Sequence, residues 1–254
     1  MNQIDPVFDR NRFLLRQKHW AISEKYYVWD EQNKPLLYVE RPMHGFRNFF
    51  AGFLGIVAGI FVMILLFMIA ASVPPTQGFL MAFLFLMGFI GCIVTIFVVF
   101  VPLSQKRHVT FYRDDTRQER LLEVLQDRKF QGLNATYTVR DPEGQLLAKL
   151  RKNYLYDMLR KRWYGYAQDG SILFVAKEDS IILSLLRRLL GILFGFLRTN
   201  FVILDGRGNV IGEFNRKFTI LDRYVLDMNA DSQKSIDRRI ALALGVMLDT
   251  GERR

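Results

Sequence analysis

The sequence predicts a mainly β protein, an antiparallel meander of about ten to twelve strands with a two-helix membrane hairpin inserted among its early strands. Three observations carry this. A pattern of strand, Asp-containing turn and strand recurs four times. The 58 residues between Arg47 and Lys106 include no formally charged side chain. Near the C-terminus, Ile240–Leu248 is apolar on every side.

The four strand pairs are Tyr26–Trp29 with Pro35–Val39, Thr136–Val139 with Gln145–Ala148, Trp163–Tyr166 with Ser171–Val175, and Phe201–Leu204 with Val210–Phe214. Each turn between them holds Asp, whose side chain folds a tight turn through its own hydrogen bonds. Gly, where present, supplies the positive φ that such turns need. Further strand candidates are Phe13–Arg16, Val109–Tyr112, Arg120–Leu125 and Arg223–Leu226. The spacing is too uneven for a propeller or solenoid. The first pair precedes the charge-free run and the others follow it. A lone hairpin is not stable in water, so all the strands are expected in one discontinuous domain, 8–42 and 104–250.

The charge-free run forms the inserted unit, 47–105. Its two blocks, about 49–72 and 79–102, are separated by Ser72–Gly78. At about 1.5 Å per residue each crosses a hydrocarbon core of roughly 30 Å. Ala51, Gly55 and Gly59 give the first block a small-residue face, and Gly88, Gly91, Cys92 and Thr95 give the second another. Such faces let helices approach closely, either within the hairpin or between copies. Arg41, His44 and Arg47 flank one side, Lys106, Arg107 and His108 the other, and the connecting loop has neither Lys nor Arg. The positive-inside rule then places both termini and the soluble domain in the cytoplasm. Met1–Gln17 lacks the apolar core of a cleavable signal peptide. Thr95 is the lone polar group at membrane depth in the second block, which argues against a conduction path.

Two helices are expected in the soluble part. Ser232–Thr250 opens on Asp231 or Ser232 as N-cap and stops at Gly251; its nine-residue apolar middle is too short to span a bilayer, so the sheet should enclose it. In Ser180–Arg198 every polar or small residue (180, 184, 187, 188, 191, 195, 198) falls on one stripe. That narrow basic stripe on a broad apolar helix suits the bilayer interface.

The net charge of +10 and pI near 9.8 sit wholly outside the hairpin. For a tethered protein, anionic lipid is preferred to nucleic acid as the partner, at about 1 kcal/mol per well-placed Lys or Arg. The single cysteine, Cys92, leaves no disulfide to form within the chain. His19, His44 and His108 are scattered, Asp114 and Asp115 sit among arginines, and no catalytic or nucleotide-binding motif is present. No catalytic residue, metal site or cofactor is therefore assigned.

The segments Phe13–Lys18 and Glu24–Asp30, with Phe218–Asp227 and Arg238–Gly245, resemble the opening and the close of LURP-one-related and phospholipid-scramblase-like proteins. That resemblance implies a Tubby-like fold, a twelve-stranded barrel around a hydrophobic C-terminal helix. The inserted hairpin departs from the single late membrane segment of the scramblases. Their calcium loop would fall on Asp227–Asp231, but Ser232 and Arg238 stand where a calcium loop needs Gly and a bidentate Glu.

Basic residues interleaved with Trp and Tyr suit a membrane surface. The candidate lipid-binding residues are accordingly Arg151, Lys152, Arg160, Lys161, Arg162, Trp163, Arg187, Arg188 and Arg198. The resulting expectation is a protein that engages anionic phospholipid at the cytoplasmic leaflet, binding lipid rather than moving it. A membrane-tethered scaffold that recruits a protein partner is the alternative.

Overall fold

The computed structural model describes residues 4–18, 24–42, 45–106, 108–129, 131, 133–154, 161–178, 201–217 and 223–252. They form two compact units, one of 1–43 with 107–254 and one of 44–106.

The first unit is a closed antiparallel barrel of twelve strands. The strands are β1 (Arg12–Lys18), β2 (Glu24–Trp29), β3 (Pro35–Arg41), β4 (Val109–Tyr112), β5 (Arg120–Gln126), β6 (Asn134–Arg140), β7 (Leu146–Asn153), β8 (Arg162–Tyr166), β9 (Ile172–Glu178), β10 (Phe201–Asp205), β11 (Val210–Lys217) and β12 (Arg223–Asp227). Each pairs with its sequence neighbours, and β1 pairs with β12 to close the barrel. Closure removes both sheet edges, which would otherwise be templates for aggregation.

The Asp turns use one device repeatedly. Asp30 accepts the Lys34 N–H at 2.7 Å, Asp141 accepts that of Gln145 at 2.7 Å, and Asp205 accepts those of Arg207 and Asn209 at 2.8 Å. Positive φ falls on Asn33, Gly144 and Gly208 in the same turns, where the chain must reverse within a few residues.

The barrel is filled by helix α3 (Arg238–Glu252). Its apolar run Ile240–Leu248 is buried against inward-facing Phe13, Leu15, Phe111, Leu122, Leu150, Phe174, Phe214 and Leu226. A helix apolar on every side can be stable only when enclosed like this. It starts at Arg238, six residues later than the sequence suggests, because Asp231 is used elsewhere. The Asp231 carboxylate accepts from the Ser235 and Ile236 N–H groups and from Arg238, folding the preceding loop. Asp237 caps instead, accepting the Arg239 N–H at 2.8 Å.

The second unit is a helical hairpin, α1 (Gly45–Ala71) and α2 (Gly78–Leu103), joined through a short 3-10 turn at Pro75–Gln77. Both helices are long and apolar enough to cross a membrane, and only 17% and 6% of their most apolar windows are buried. Their small faces meet. A Cβ on Gly59 would lie 2.8 Å from the Cys92 carbonyl oxygen, and one on Gly55 3.0 Å from that of Ile96. At the open end the Arg47 Nε donates to the Leu103 carbonyl at 3.2 Å, and the Gln105 N–H donates to Asn48 Oδ1 at 3.1 Å.

Candidate lipid-facing surface

Antiparallel order gives the barrel two chemically different ends. Odd-numbered strands finish, and even-numbered strands begin, at the end where the chain departs after β3 into the hairpin and returns at β4. Call this the hairpin end. The opposite, turn end carries the Asp turns and the lead into α3.

The turn-end connections (30–34, 113–119, 141–145, 167–171, 206–209 and 228–237) hold ten acidic and five basic residues. Among the described residues of the barrel unit in the hairpin-end connections (42, 108, 127–129, 131, 133, 154 and 161), one is acidic and three are basic. The described connections are thus acidic at the turn end and basic at the hairpin end. At the turn end, cations and carboxylates are matched in ion pairs: Arg10 with Asp30 at 3.3 Å, Arg12 with Asp227 at 3.2 Å, Arg113 with Glu119 at 2.8 Å and with Asp5, and Arg238 with Asp231 at 2.7 Å. The Arg113 guanidinium beside Asp5 holds that carboxyl below the usual carboxylate range.

Three of the sequence-predicted residues come together on the barrel wall toward the hairpin end. Arg151 on β7 and Arg162 on β8 are exposed, and Lys161, just before β8, is half-buried. Register places Arg151 opposite Tyr164. Tyr164 and Tyr166 stack at 6.3 Å, with an interplanar angle of 27°.

Lys152 and Trp163 do not join them. Strand alternation turns both inward, with 5% and 0% of their surface exposed. The Lys152 Nζ lies 5.5 Å from the Trp163 ring and 5.4 Å from that of Tyr154, and Trp163 packs against Tyr137 at 5.9 Å. A lysine held over two aromatic faces inside the barrel is part of its core, so these two residues leave the lipid-facing set. Arg160, Arg187, Arg188, Arg198 and the 180–198 segment lie outside the described residues.

Two cations that local composition does not reveal belong on the same wall. Lys149 is exposed two residues from Arg151, and Lys177 is directly opposite Arg162. The outward positions 149, 151 and 153, 162, 164 and 166, and 172, 175 and 177 of β7–β9 include four cations, two tyrosines and no carboxylate. Arg162 facing Lys177 places two cations side by side on this wall. The signal for these residues was in the strand register, which single-strand composition does not contain.

Among the described residues no group of three or more His, Cys, Asp or Glu is placed to hold a metal ion. The Asp227–Asp231 loop spends its carboxylates internally: Asp227 pairs with Arg12, and Asp231 binds Arg238 and Ser235.

A family model described as LURP-one-related matches residues 94–249. The match begins inside α2 and ends inside α3; β1–β3, which complete the barrel, precede it. No curated protein matches the chain.

Proposed function

The chain belongs to the LURP-one-related family, and from that premise we propose that it is a membrane-tethered barrel whose hairpin end binds anionic phospholipid at the cytoplasmic leaflet. The observation that carries this reading is the polarised charge, basic where the chain enters the hairpin and acidic at the far end.

The hairpin supplies the tether. A helix pair with this much apolar surface outside any core needs a non-aqueous surrounding, since each buried CH2 is worth about 0.8 kcal/mol. The flanking Arg47 and Lys106, with no Lys or Arg in the connection between the helices, favour the cytoplasmic placement of both ends. Arg151, Lys161, Arg162, Lys149 and Lys177 then meet headgroups, and Tyr164 and Tyr166 lie at the depth where aromatic rings are favoured. Arg160, Arg187, Arg188 and Arg198 are assigned to lipid contact from the sequence alone. Binding is favoured over lipid movement, because the charge-free hairpin offers no hydrophilic track for a headgroup through the acyl core.

The test is energy transfer from the barrel tryptophans to a headgroup-labelled tracer lipid in proteoliposomes. Transfer should rise with anionic lipid content, fall with added salt, and be lost in Arg151→Glu with Arg162→Glu. Transfer indifferent to anionic lipid would overturn the reading and turn attention to protein recruitment. Headgroup transfer between leaflets above that of protein-free vesicles would overturn the preference for binding.

A further inference from the structure

The strand pairs β2–β3, β4–β5, β6–β7, β8–β9 and β10–β11 share one irregularity beside their turns. In each the register slips by one residue early in the second strand, and the extra residue is Leu36, Leu121, Leu147, Leu173 or Ile211. A bulge of this kind breaks the alternation of faces. Each bulged side chain accordingly joins the core instead of facing outward. The result is a layer of branched aliphatic side chains at the turn end, around the entry of α3.

That layer is complete on one side only. Leu36, Leu121 and Ile211 are buried, and the chain from Asp5 to Phe8 crosses this end, held by Arg113 at Asp5 and giving Phe8 to the core. Leu147 and Leu173 are half-buried. With Ile236 and Ile240 they line a cavity of about 500 Å³ between β7–β9 and the start of α3. Its size is that of a small-ligand site, about 300–1,000 Å³. Asp169, in the β8–β9 turn, lines the same cavity. Its carboxylate accepts from the Ser171 hydroxyl at 2.7 Å and the Ser171 N–H at 2.9 Å, which hold it below the usual carboxylate range. Among the described residues no cation pairs with Asp169. Asp237, also on the cavity, is taken by Arg239 at 2.7 Å.

We propose that this cavity is a binding site for an aliphatic ammonium, whose short branched hydrocarbon completes the aliphatic layer while its cationic group meets Asp169. Four aliphatic side chains call for the hydrocarbon. The cation is called for by Asp169, at an end whose connections hold ten acidic and five basic residues. An anion placed there would meet Asp169 as a like charge. A free amine and the amino-terminal leucine of a protein offer the same chemistry. The site lies at the opposite end of the barrel from the lipid-facing surface, and it does not rest on the lipid reading.

The experiment is a saturation-transfer NMR titration of the full chain in zwitterionic nanodiscs, with empty nanodiscs subtracted. The probes are isopentylammonium and its uncharged counterpart isopentanol. The ammonium should bind saturably and about threefold more tightly than the alcohol, the size of one exposed ion pair. Asp169→Asn keeps an acceptor for Ser171 and should bring the two probes to parity. Ala167→Phe fills the cavity from its wall and should abolish binding of both. Absence of saturable ammonium binding to wild type, equal wild-type affinity for the two probes, or wild-type binding retained in Ala167→Phe would overturn the proposal. A hexapeptide beginning with leucine separates the sources, and both of its outcomes support the site. Tighter binding than isopentylammonium identifies a protein's amino terminus, and weaker binding a free amine.

Discussion

Replacing Arg238 with Met should unfasten the barrel from its central helix. The guanidinium donates to Asp231 Oδ2 at 2.7 Å, the Asp231 carbonyl at 2.9 Å, the Ile236 carbonyl at 3.0 Å, and Asn11 Oδ1 at 2.8 and 3.1 Å. One side chain thereby joins the lead into β1, the β12–α3 loop and the start of α3. Side-chain exposure is 4% for Arg238 and 3% for Asp231, so solvent cannot replace the lost partner. Removing one member of such a buried pair costs about 3–5 kcal/mol. For a domain of this size that corresponds to a fall in Tm of about 6–20 °C. The melt can be followed by tryptophan fluorescence in detergent, since Trp163 is fully buried in the barrel. Adding Asp231→Asn should recover part of the loss by removing the uncompensated charge. A fall below about 3 °C, or no recovery in the double variant, would refute the assignment of Arg238 as the clasp.

Three further outcomes follow from the same geometry. Gly59→Leu should separate α1 from α2, because its Cβ would lie 2.8 Å from the Cys92 carbonyl oxygen and 2.9 Å from Ile96 Cγ1; distance measurement between spin labels at the two helices should show a widened hairpin, and an unchanged distance would contradict the packing. Acid should loosen the barrel. Burial raises the Asp231 pKa, but hydrogen bonds from Arg238, Ser235 and the Ile236 N–H outweigh it, and Arg113 lowers that of Asp5. Depressed folded pKa values stabilise above the unfolded carboxylate value of about 3.9 and lose that stabilisation as pH falls through the folded values; Tm should therefore hold to about pH 5 and drop below pH 4, and a flat profile to pH 3 would refute this. Lys149→Glu with Lys177→Glu should weaken association with anionic lipid by about 1 kcal/mol or more per site and leave Tm within 2 °C or so; unchanged association would remove the β7–β9 wall from the surface.

All twelve strands were legible because alternation and Asp turns are local signals. Closure was legible only through the family resemblance, since the pairing of Arg12–Arg16 with Arg223–Asp227 spans nearly the whole chain and leaves no local trace. The start of α3 was misplaced because Asp231 and Ser232 look like a helix cap in one dimension, whereas Arg238 and Ser235 claim the Asp231 carboxylate in three. Composition found the basic-aromatic region around β7 and β8 but not its facing. Ala148, Leu150 and Lys152 continue one inward period of two, a pattern that would have removed Lys152 from the surface set. Lys177 was invisible from β8 alone, because only the β8–β9 register puts it beside Arg162.

In the proposed arrangement the hairpin end of the barrel, and not the turn end, lies against anionic lipid. Site-directed spin labels at Asn153 and Glu143, in full-length protein carrying Cys92→Ser, report these two ends in nanodiscs. Accessibility to oxygen relative to a water-soluble nickel chelate gives the depth of each label. The label at 153 should shift toward the lipid in anionic nanodiscs and not in zwitterionic ones, while the label at 143 stays aqueous in both. A label at 143 that approaches the bilayer, or a label at 153 that stays aqueous at every anionic lipid content, would contradict it.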